Sequence, residues 1–362
     1  MRASPVYPDA RRNQQYKWML VAAIGFVVLY LSFGGIMSSP NLDWEDDDEI
    51  ETIKRNQEKG GVVRLSELLA VGLDLTEQAN QAIRQVKAGG SEAQHLRVKG
   101  KTAEGVDEPV TEADASSNSV FINGLRSRFP GISILSEETE PEPAKVISMA
   151  QPKDLPIPLP YDADLPLKDL LVIFDPLDAT KEFTEDLLQY VTTMMCIVYD
   201  GHPIAGIVSQ VFEDAAPIYG VVADGHHVME GGVFGTDAEE PVGEAANTVT
   251  FSMSHTGGAR DVVANYLEGQ KPLPAGGSGY KSLLVLNGEA NAYVHVTKIK
   301  VWDVCAGEAV IRAAGGSFTD IHGNDIEYSK DKYILENGLL ATRSHERHTW
   351  YLTKLQDYQM KK

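Results

Sequence analysis

Five consecutive apolar residues, Leu170-Leu171-Val172-Ile173-Phe174, run directly into Asp175-Pro176-Leu177-Asp178-Ala179-Thr180, and this junction constrains the chain more than any other stretch. The quintet is too short for a typical helix and has the length of a buried strand, which implies a sheet covered on both faces. Asp175 and Asp178 are expected where that strand ends, with Pro176 fixing its φ, removing a donor and turning the chain. Two carboxylates and the carbonyl of Leu177 would then face one crevice, a mixture of hard oxygen donors suited to magnesium. Asp-Pro, and Asp before small residues, is also common turn chemistry, so the run alone leaves a plain turn equally open.

Other acids shift that balance. Ile132-Ser133-Ile134-Leu135-Ser136 alternates like a strand and ends in Glu137-Glu138, while Val301-Trp302-Asp303 opens a small-residue helix reaching Ala313-Ala314. Asp107-Glu108-Pro109-Val110-Thr111-Glu112-Ala113-Asp114 precedes a helical pattern from Ala115 to Arg128 in which Val120, Leu125 and Phe129 share a face. Asp114 is expected at the N-cap, a position where Asp stabilises a helix start by roughly 1 kcal/mol.

These four pieces, in this order, resemble the inositol monophosphatase superfamily of magnesium-dependent, lithium-sensitive phosphatases, over roughly residues 65 to 345. The resemblance is nearest to its branch of membrane-anchored Golgi phosphatases of adenosine 3',5'-bisphosphate. It rests on Asp175 to Glu182, Tyr190-Val191-Thr192-Thr193-Met194, Pro274 to Lys281 and Trp302 to Gly307, with Ala179 standing where most superfamily members carry Gly. Ser278 and Val301 are small departures that remove no acid. The resemblance implies a layered α-β-α-β-α sandwich and two or three magnesium ions. Glu137, Asp175 and the Leu177 carbonyl would hold one ion, and Asp175, Asp178 and Asp303 a second. It also implies that Thr180, oriented by Asp114, orders the attacking water, with Thr111 and Glu138 in reserve, and that the phosphate lies against Asp178, Ala179 and Thr180. The reaction implied is removal of the 3'-phosphate of adenosine 3',5'-bisphosphate to give AMP, clearing a sulfotransferase by-product. An inositol phosphate is the alternative substrate.

For the rest of the substrate, Ser252 and His255 follow the expected strand Val249 to Phe251, and the resemblance suggests ribose or second-phosphate contacts; a polar turn at the strand end accounts for them equally well. Gly276-Gly277-Ser278-Gly279 allows close backbone approach and, with the Lys281 ammonium, suits a second phosphate or a base edge, while Lys298 and Lys300 would add to a basic rim. Trp302 is expected to pack and fix Asp303, Tyr280 to be core, and His226 and His227 to lie in a loop rather than bind zinc.

A net charge of -20 argues against a nucleic-acid polymer as partner, because such binding needs clustered Lys and Arg. An anionic substrate must therefore be met locally, and bound cations would supply the positive field. Cys196 and Cys305, the two cysteines, are read as small buried hydrophobes, although a single bond between them is not excluded.

Residues 18–37 carry no charge, and at 1.5 Å per residue they reach about 30 Å, the thickness of a hydrocarbon core. Arg11, Arg12 and Lys17 precede this segment and Asp43 to Glu51 follow it, so the N-terminus is expected in the cytosol. The layout is then a cytosolic tail (1–17), a signal-anchor (18–37), an acidic luminal stalk (38–61) and a phosphatase domain (62–362) with lobes of about 62–245 and 246–362. A signal peptide cleaved near Ser38-Ser39 competes with the anchor. The branch resembled implies the Golgi membrane and a luminal catalytic domain. The oligomeric state stays open, a homodimer included. Helix is expected over Leu65 to Val86, and successive strands over Val191 to Tyr199, Ile204 to Phe212 and Ile218 to Val222 with a turn at Asp200-Gly201. A Pro-rich surface excursion is expected over Thr139 to Lys168.

Overall fold

The computed structural model describes residues 61–90, 95–101, 107–138, 155, 159, 162–223, 226–230, 243–254 and 258–358. The expected signal-anchor, most of the stalk and His255 lie outside these residues. Among the described residues no helix is long and apolar enough to cross a membrane.

The first half builds a mixed sheet. Its elements are β1 (Val62–Arg64), α1 (Leu65–Ala88), β2 (Arg97–Lys101), β3 (Asp107–Val110), α2 (Glu112–Arg128), β4 (Ser133–Ser136), β5 (Asp164–Pro166), β6 (Leu170–Asp178), α3 (Thr180–Thr184), β7 (Thr192–Tyr199), β8 (His202–Gln210), β9 (Ile218–Ala223) and β10 (His226–Glu230). Strands run in the order β10-β9-β8-β7-β6-β4, and only the β4–β6 pair is parallel. Asp200 and Gly201 both have positive φ, 49° and 79°, the pattern of a tight hairpin turn that matches strand twist. The second half adds β11 (Thr248–Ser252), α4 (Ala259–Tyr266), β12 (Lys271–Ala275), α5 (Ser278–Leu286), β13 (Ala292–His295), β14 (Ile299–Lys300), α6 (Cys305–Ala313), β15 (Ser317–Thr319), β16 (Ile334–Leu335), β17 (Leu339–Thr342) and α7 (His345–Leu355). Its five-stranded sheet has the order β12-β11-β13-β17-β15.

Three apolar cores define the layers. Leu68, Leu75, Phe121 and Leu125 of α1 and α2 pack on Phe174, Ile197 and Ile207 of the first sheet. The rings of Phe121 and Phe174 stack with centroids 3.7 Å apart, and burying each such side chain stabilises the fold by roughly 1.5–3 kcal/mol. α5 and α6 fill the space between the two sheets, and α4 and α7 cover the outer face of the second. The result is the expected α-β-α-β-α sandwich. Gly206 makes the central contact feasible, because a Cβ there would sit 2.7 Å from the carbonyl oxygen of Ala306 in α6.

Several expectations need correction. β6 does not end at Phe174 but continues to Asp178, with its register to β7 shifting between Asp175 and Asp178. Pro176 has no N–H for the ladder, and a bulge is where a strand tolerates that loss. Asp114 is not the N-cap of α2: Thr111 is, and Asp114 sits three residues on, accepting from the Thr111 backbone N–H to close a capping box. The 139–168 stretch is not all excursion, since β5 pairs antiparallel with β1. His226 and His227 lie in β10, not a loop. Cys196 of β7 and Cys305 of α6 are bonded to each other, each about 1% exposed or less. They do lie in the core, as expected of small hydrophobes, and the packing of α6 on the sheet brings the sulfurs together.

Candidate active site

The bulged end of β6 gives the site its floor. Asp175, Leu177, Asp178, Ala179 and Thr180 line a cavity of about 610 Å³ together with Glu137, which follows β4 in the adjacent position of the sheet. Asp303, from the turn before α6, enters from the second half, as do Ser252, Gly277 and Lys281. Ten of the twelve residues assigned to the site from sequence thus line one cavity. Asp114 lies behind the wall, fully buried, and His255 is outside the described residues.

Asp114 reaches the cavity through Thr180. The Thr180 hydroxyl donates to Asp114 Oδ1 at 2.9 Å and lies 3.1 Å from the carbonyl oxygen of Leu177. The other carboxylate oxygen, Oδ2, accepts from the Thr111 hydroxyl at 2.6 Å and the Thr111 N–H at 2.7 Å. Burial raises the Asp114 pKa to about 7, against the lowering effect of the Thr111 hydroxyl. Thr111, held in reserve as a water-ordering group, is instead committed to this carboxylate.

The remaining acids crowd one another. Burial pushes the Asp175 carboxyl well above its ordinary pKa, and Glu137, Asp178 and Asp303 push it further. Glu137, Asp178 and Asp303 are also raised, burial being the first cause in each. Such a set is unfavourable as bare anions and is relieved by protons or cations. Among the described residues, however, no three of these acids are drawn to a common point that would hold an ion. Each is partly engaged within the protein. Lys99 of β2 bonds Glu137 Oε1 at 2.6 Å and Glu138 Oε1 at 2.5 Å. Asp178 Oδ2 accepts from Gly279 N–H at 2.8 Å and the Thr192 hydroxyl at 3.0 Å. Asp175 Oδ1 accepts from Leu177 N–H at 3.1 Å, and Asp303 Oδ2 from Lys300 N–H at 3.3 Å. The donor set of carboxylates with one backbone carbonyl fits magnesium chemically, and the Lys99 ammonium occupies one oxygen of Glu137.

Two turn residues hold the floor in shape. Ala179 precedes α3 in the left-handed region, φ 70°, a conformation easier for Gly. Gly277 is confined more tightly, because at φ 62° a Cβ would lie 2.6 Å from the Tyr190 carbonyl oxygen and 2.9 Å from Asp178 Oδ2.

Lys281 lines the cavity as a buried cation. It is 3% exposed, its ammonium donates to the Gly277 carbonyl, and burial lowers its pKa against the pull of Asp178, Glu182 and Asp303. It balances the acids from below. Lys298 and Lys300 do stand in the cavity wall. Trp302 is only partly buried and contributes to that wall, and Tyr280 is partly buried, edge-on to Tyr190. Sequence reasoning missed Lys99, and also Glu182, which is 4% exposed and accepts from the Ser254 hydroxyl. Glu182 lies two residues beyond Thr180, so α3 carries both; Lys99 gives no local signal, since its partner is 38 positions away.

The chain is similar over most of its length to known proteins. A model of the inositol monophosphatase family matches residues 64–360. The Golgi-resident adenosine 3',5'-bisphosphate 3'-phosphatase of Mus musculus is 35% identical over 293 residues, 78% of this chain and 79% of its own. The putative inositol monophosphatase 3 of Drosophila melanogaster is 37% identical over 302 residues, 79% of this chain and 82% of its own. Among solved structures, the extragenic suppressor protein suhB of Bartonella henselae has a TM-score of 0.60 at 16% identity, covering 80% of this chain and 98% of its own. The chain belongs to the inositol monophosphatase family and is a phosphoric monoester hydrolase of that family.

Proposed function

We propose that the chain removes the 3'-phosphate of adenosine 3',5'-bisphosphate, giving AMP and inorganic phosphate, as a luminal enzyme anchored in the Golgi membrane by residues 18–37. The observation that carries the chemistry is the single cavity into which Glu137, Asp175, Leu177, Asp178, Thr180 and Asp303 all open. The substrate and the compartment are supported by the relatives named Golgi-resident 3',5'-bisphosphate 3'-phosphatase, with 35% identity over most of the chain. The Cys196–Cys305 bond agrees with an oxidising lumen, since such bonds are rare in the reducing cytosol. The basic flank before residue 18 and the acids after residue 37 support the type II orientation.

Magnesium, as two or three ions held by Glu137, Asp175, Asp178, Asp303 and the Leu177 carbonyl, would supply Lewis acidity to the phosphoryl oxygens. The residues themselves do the positioning. With its proton given to Asp114, the Thr180 hydroxyl keeps lone pairs free to accept from a water in the cavity. That water forms the new bond to phosphorus as the bond to the ribose 3'-oxygen breaks, and the proton it loses is balanced by one taken up by the departing 3'-oxygen, so AMP leaves with a free 3'-hydroxyl. The phosphate would lie against Asp178, Ala179 and Thr180, where backbone donors at this turn, the N–H of Ala179 among them, can meet its oxygens. Ser252 and Gly277 line the same cavity.

The relative named putative inositol monophosphatase 3 favours a second reading, an inositol phosphate as substrate. Phosphate release with magnesium, measured on both compounds, separates the two. Turnover of the bisphosphate at least tenfold above inositol 1-phosphate is expected. The reverse order would assign the second reading, and inactivity on both would remove each.

A further inference from the structure

Among the described residues, Glu182 is the one acid lining the cavity that the proposed magnesium set leaves out. It is 4% exposed, and its Oε1 accepts from the hydroxyl of Ser254, which lines the same cavity. Oε2 has no hydrogen-bond partner among the described residues, yet it is not sealed from solvent, so its opening is the cavity itself. A carboxylate that served only to anchor Ser254 would be a costly choice, because burying such a group is unfavourable unless its lone pairs are met. Packing fixes where it stands. A Cβ on Gly276 would lie 2.8 Å from Glu182 Cγ, and a Cβ on the next residue, Gly277, 2.9 Å from Asp178 Oδ2. Glu182 and Asp178 are therefore neighbours along one stretch of backbone, whose consecutive Cα atoms are about 3.8 Å apart.

Ser254 has given its one proton to Glu182, so the pair offers the cavity acceptors only. Such a patch repels phosphate oxygens and fits a neutral donor on the ligand. With the scissile phosphate against Asp178, the donor in reach is an O–H beside that phosphate; the amino group of adenine lies at the other end of the nucleotide. We infer that Glu182, held by Ser254, accepts the hydroxyl on the carbon next to the phosphorylated one, the ribose 2'-hydroxyl of adenosine 3',5'-bisphosphate. The inference rests on the phosphatase reading above but not on the choice between its two substrates, since inositol 1-phosphate also carries a hydroxyl beside its phosphate. It makes Glu182 a specificity residue: a site built to bond a hydroxyl rejects the analogue lacking it, because its own buried acceptor is then left unpaired.

The test compares kcat/KM for adenosine 3',5'-bisphosphate with that for its 2'-deoxy analogue. Wild type should prefer the ribose form by about tenfold or more. Glu182→Met, which keeps the length of the side chain without an oxygen acceptor, should bring the ratio close to one through loss on the ribose form, and Ser254→Ala should move it the same way. A wild type indifferent to the 2'-hydroxyl would overturn the assignment. So would equal losses on both substrates in Glu182→Met, the pattern of a structural or magnesium-binding residue. Should Glu182→Met fail to fold, Glu182→Gln decides by the same ratio. Calorimetric binding of AMP and of 2'-deoxy-AMP repeats the comparison without turnover. An inactive wild type whose preference for AMP disappears in Glu182→Met would refute the proposed activity and leave Glu182 assigned, whereas equal binding of the two nucleotides would overturn the assignment.

Discussion

Thr180 and Asp114, 66 residues apart in sequence, meet through a 2.9 Å hydrogen bond that joins the start of α3 to the first turn of α2. Asp114 has no surface of its own in the cavity, and its reach into the chemistry is the orientation it imposes on one hydroxyl. Thr180→Ala and Asp114→Asn should each lower kcat by about a hundredfold or more with little change in KM. The double variant should be no worse than the poorer single one, because both changes break the same bond. Steady-state kinetics of the three variants checks this, and additive losses would mean that the two residues act independently.

Asp175 is 1% exposed and faces three other acids. Asp175→Asn removes a buried charge that its neighbours repel, while the amide oxygen can still accept from Leu177 N–H. In magnesium-free buffer the variant should therefore melt higher than wild type. Its turnover should fall by about a thousandfold or more, and magnesium should raise its melting temperature less than that of wild type. Thermal melts with and without magnesium, alongside phosphate release, test both signs.

Gly277→Ala should be the most damaging methyl in the site. The new Cβ would press on the Tyr190 carbonyl and Asp178 Oδ2, and the backbone at φ 62° disfavours any side chain. A cost on the order of 1–3 kcal/mol from the backbone alone is expected, together with displacement of Asp178. Denaturant unfolding should show the loss of stability, and activity should fall further than that loss explains.

His348 gives the fold an acid sensitivity remote from the site. It is 2% exposed, with Nε2 2.9 Å from the Thr319 hydroxyl and Nδ1 3.1 Å from that of Thr342. Burial, with His345 and Arg312 nearby, lowers its pKa from 6.5 to about 4. Between those values the unfolded chain binds a proton that the folded chain refuses, so stability declines as pH falls from about 6.5 to about 4. The loss is on the order of 3 kcal/mol. Unfolding free energies across this range should show a shallower slope in His348→Gln than in wild type, and equal slopes would exclude His348 as the cause.

The parts of the site that could be read in the sequence are those set by neighbours in the chain. Asp175 and Asp178 announced themselves because a five-residue apolar strand delivers them, and the Asp200-Gly201 turn because two positive φ values need such residues. What stayed hidden depends on distant partners. Lys99 meets Glu137 only after β2 folds over the site, and Trp302 meets the Tyr333 ring only once β14 pairs with β16. The capping position of Asp114 was misjudged by three residues since Thr111 and Asp114 both satisfy cap chemistry, and only backbone angles distinguish them. β6 ran past its apolar core because pairing with β7 resumes at Asp178, a preference that hydrophobic periodicity cannot register.

The covalent link between Cys196 and Cys305 spans 109 positions and ties β7 to the helix that begins two residues after Asp303. Bacterial cytoplasm or a storage buffer containing dithiothreitol would yield a reduced form whose denatured chain is less constrained. Batches of recombinant material should accordingly be compared by thiol titration before their kinetic constants are.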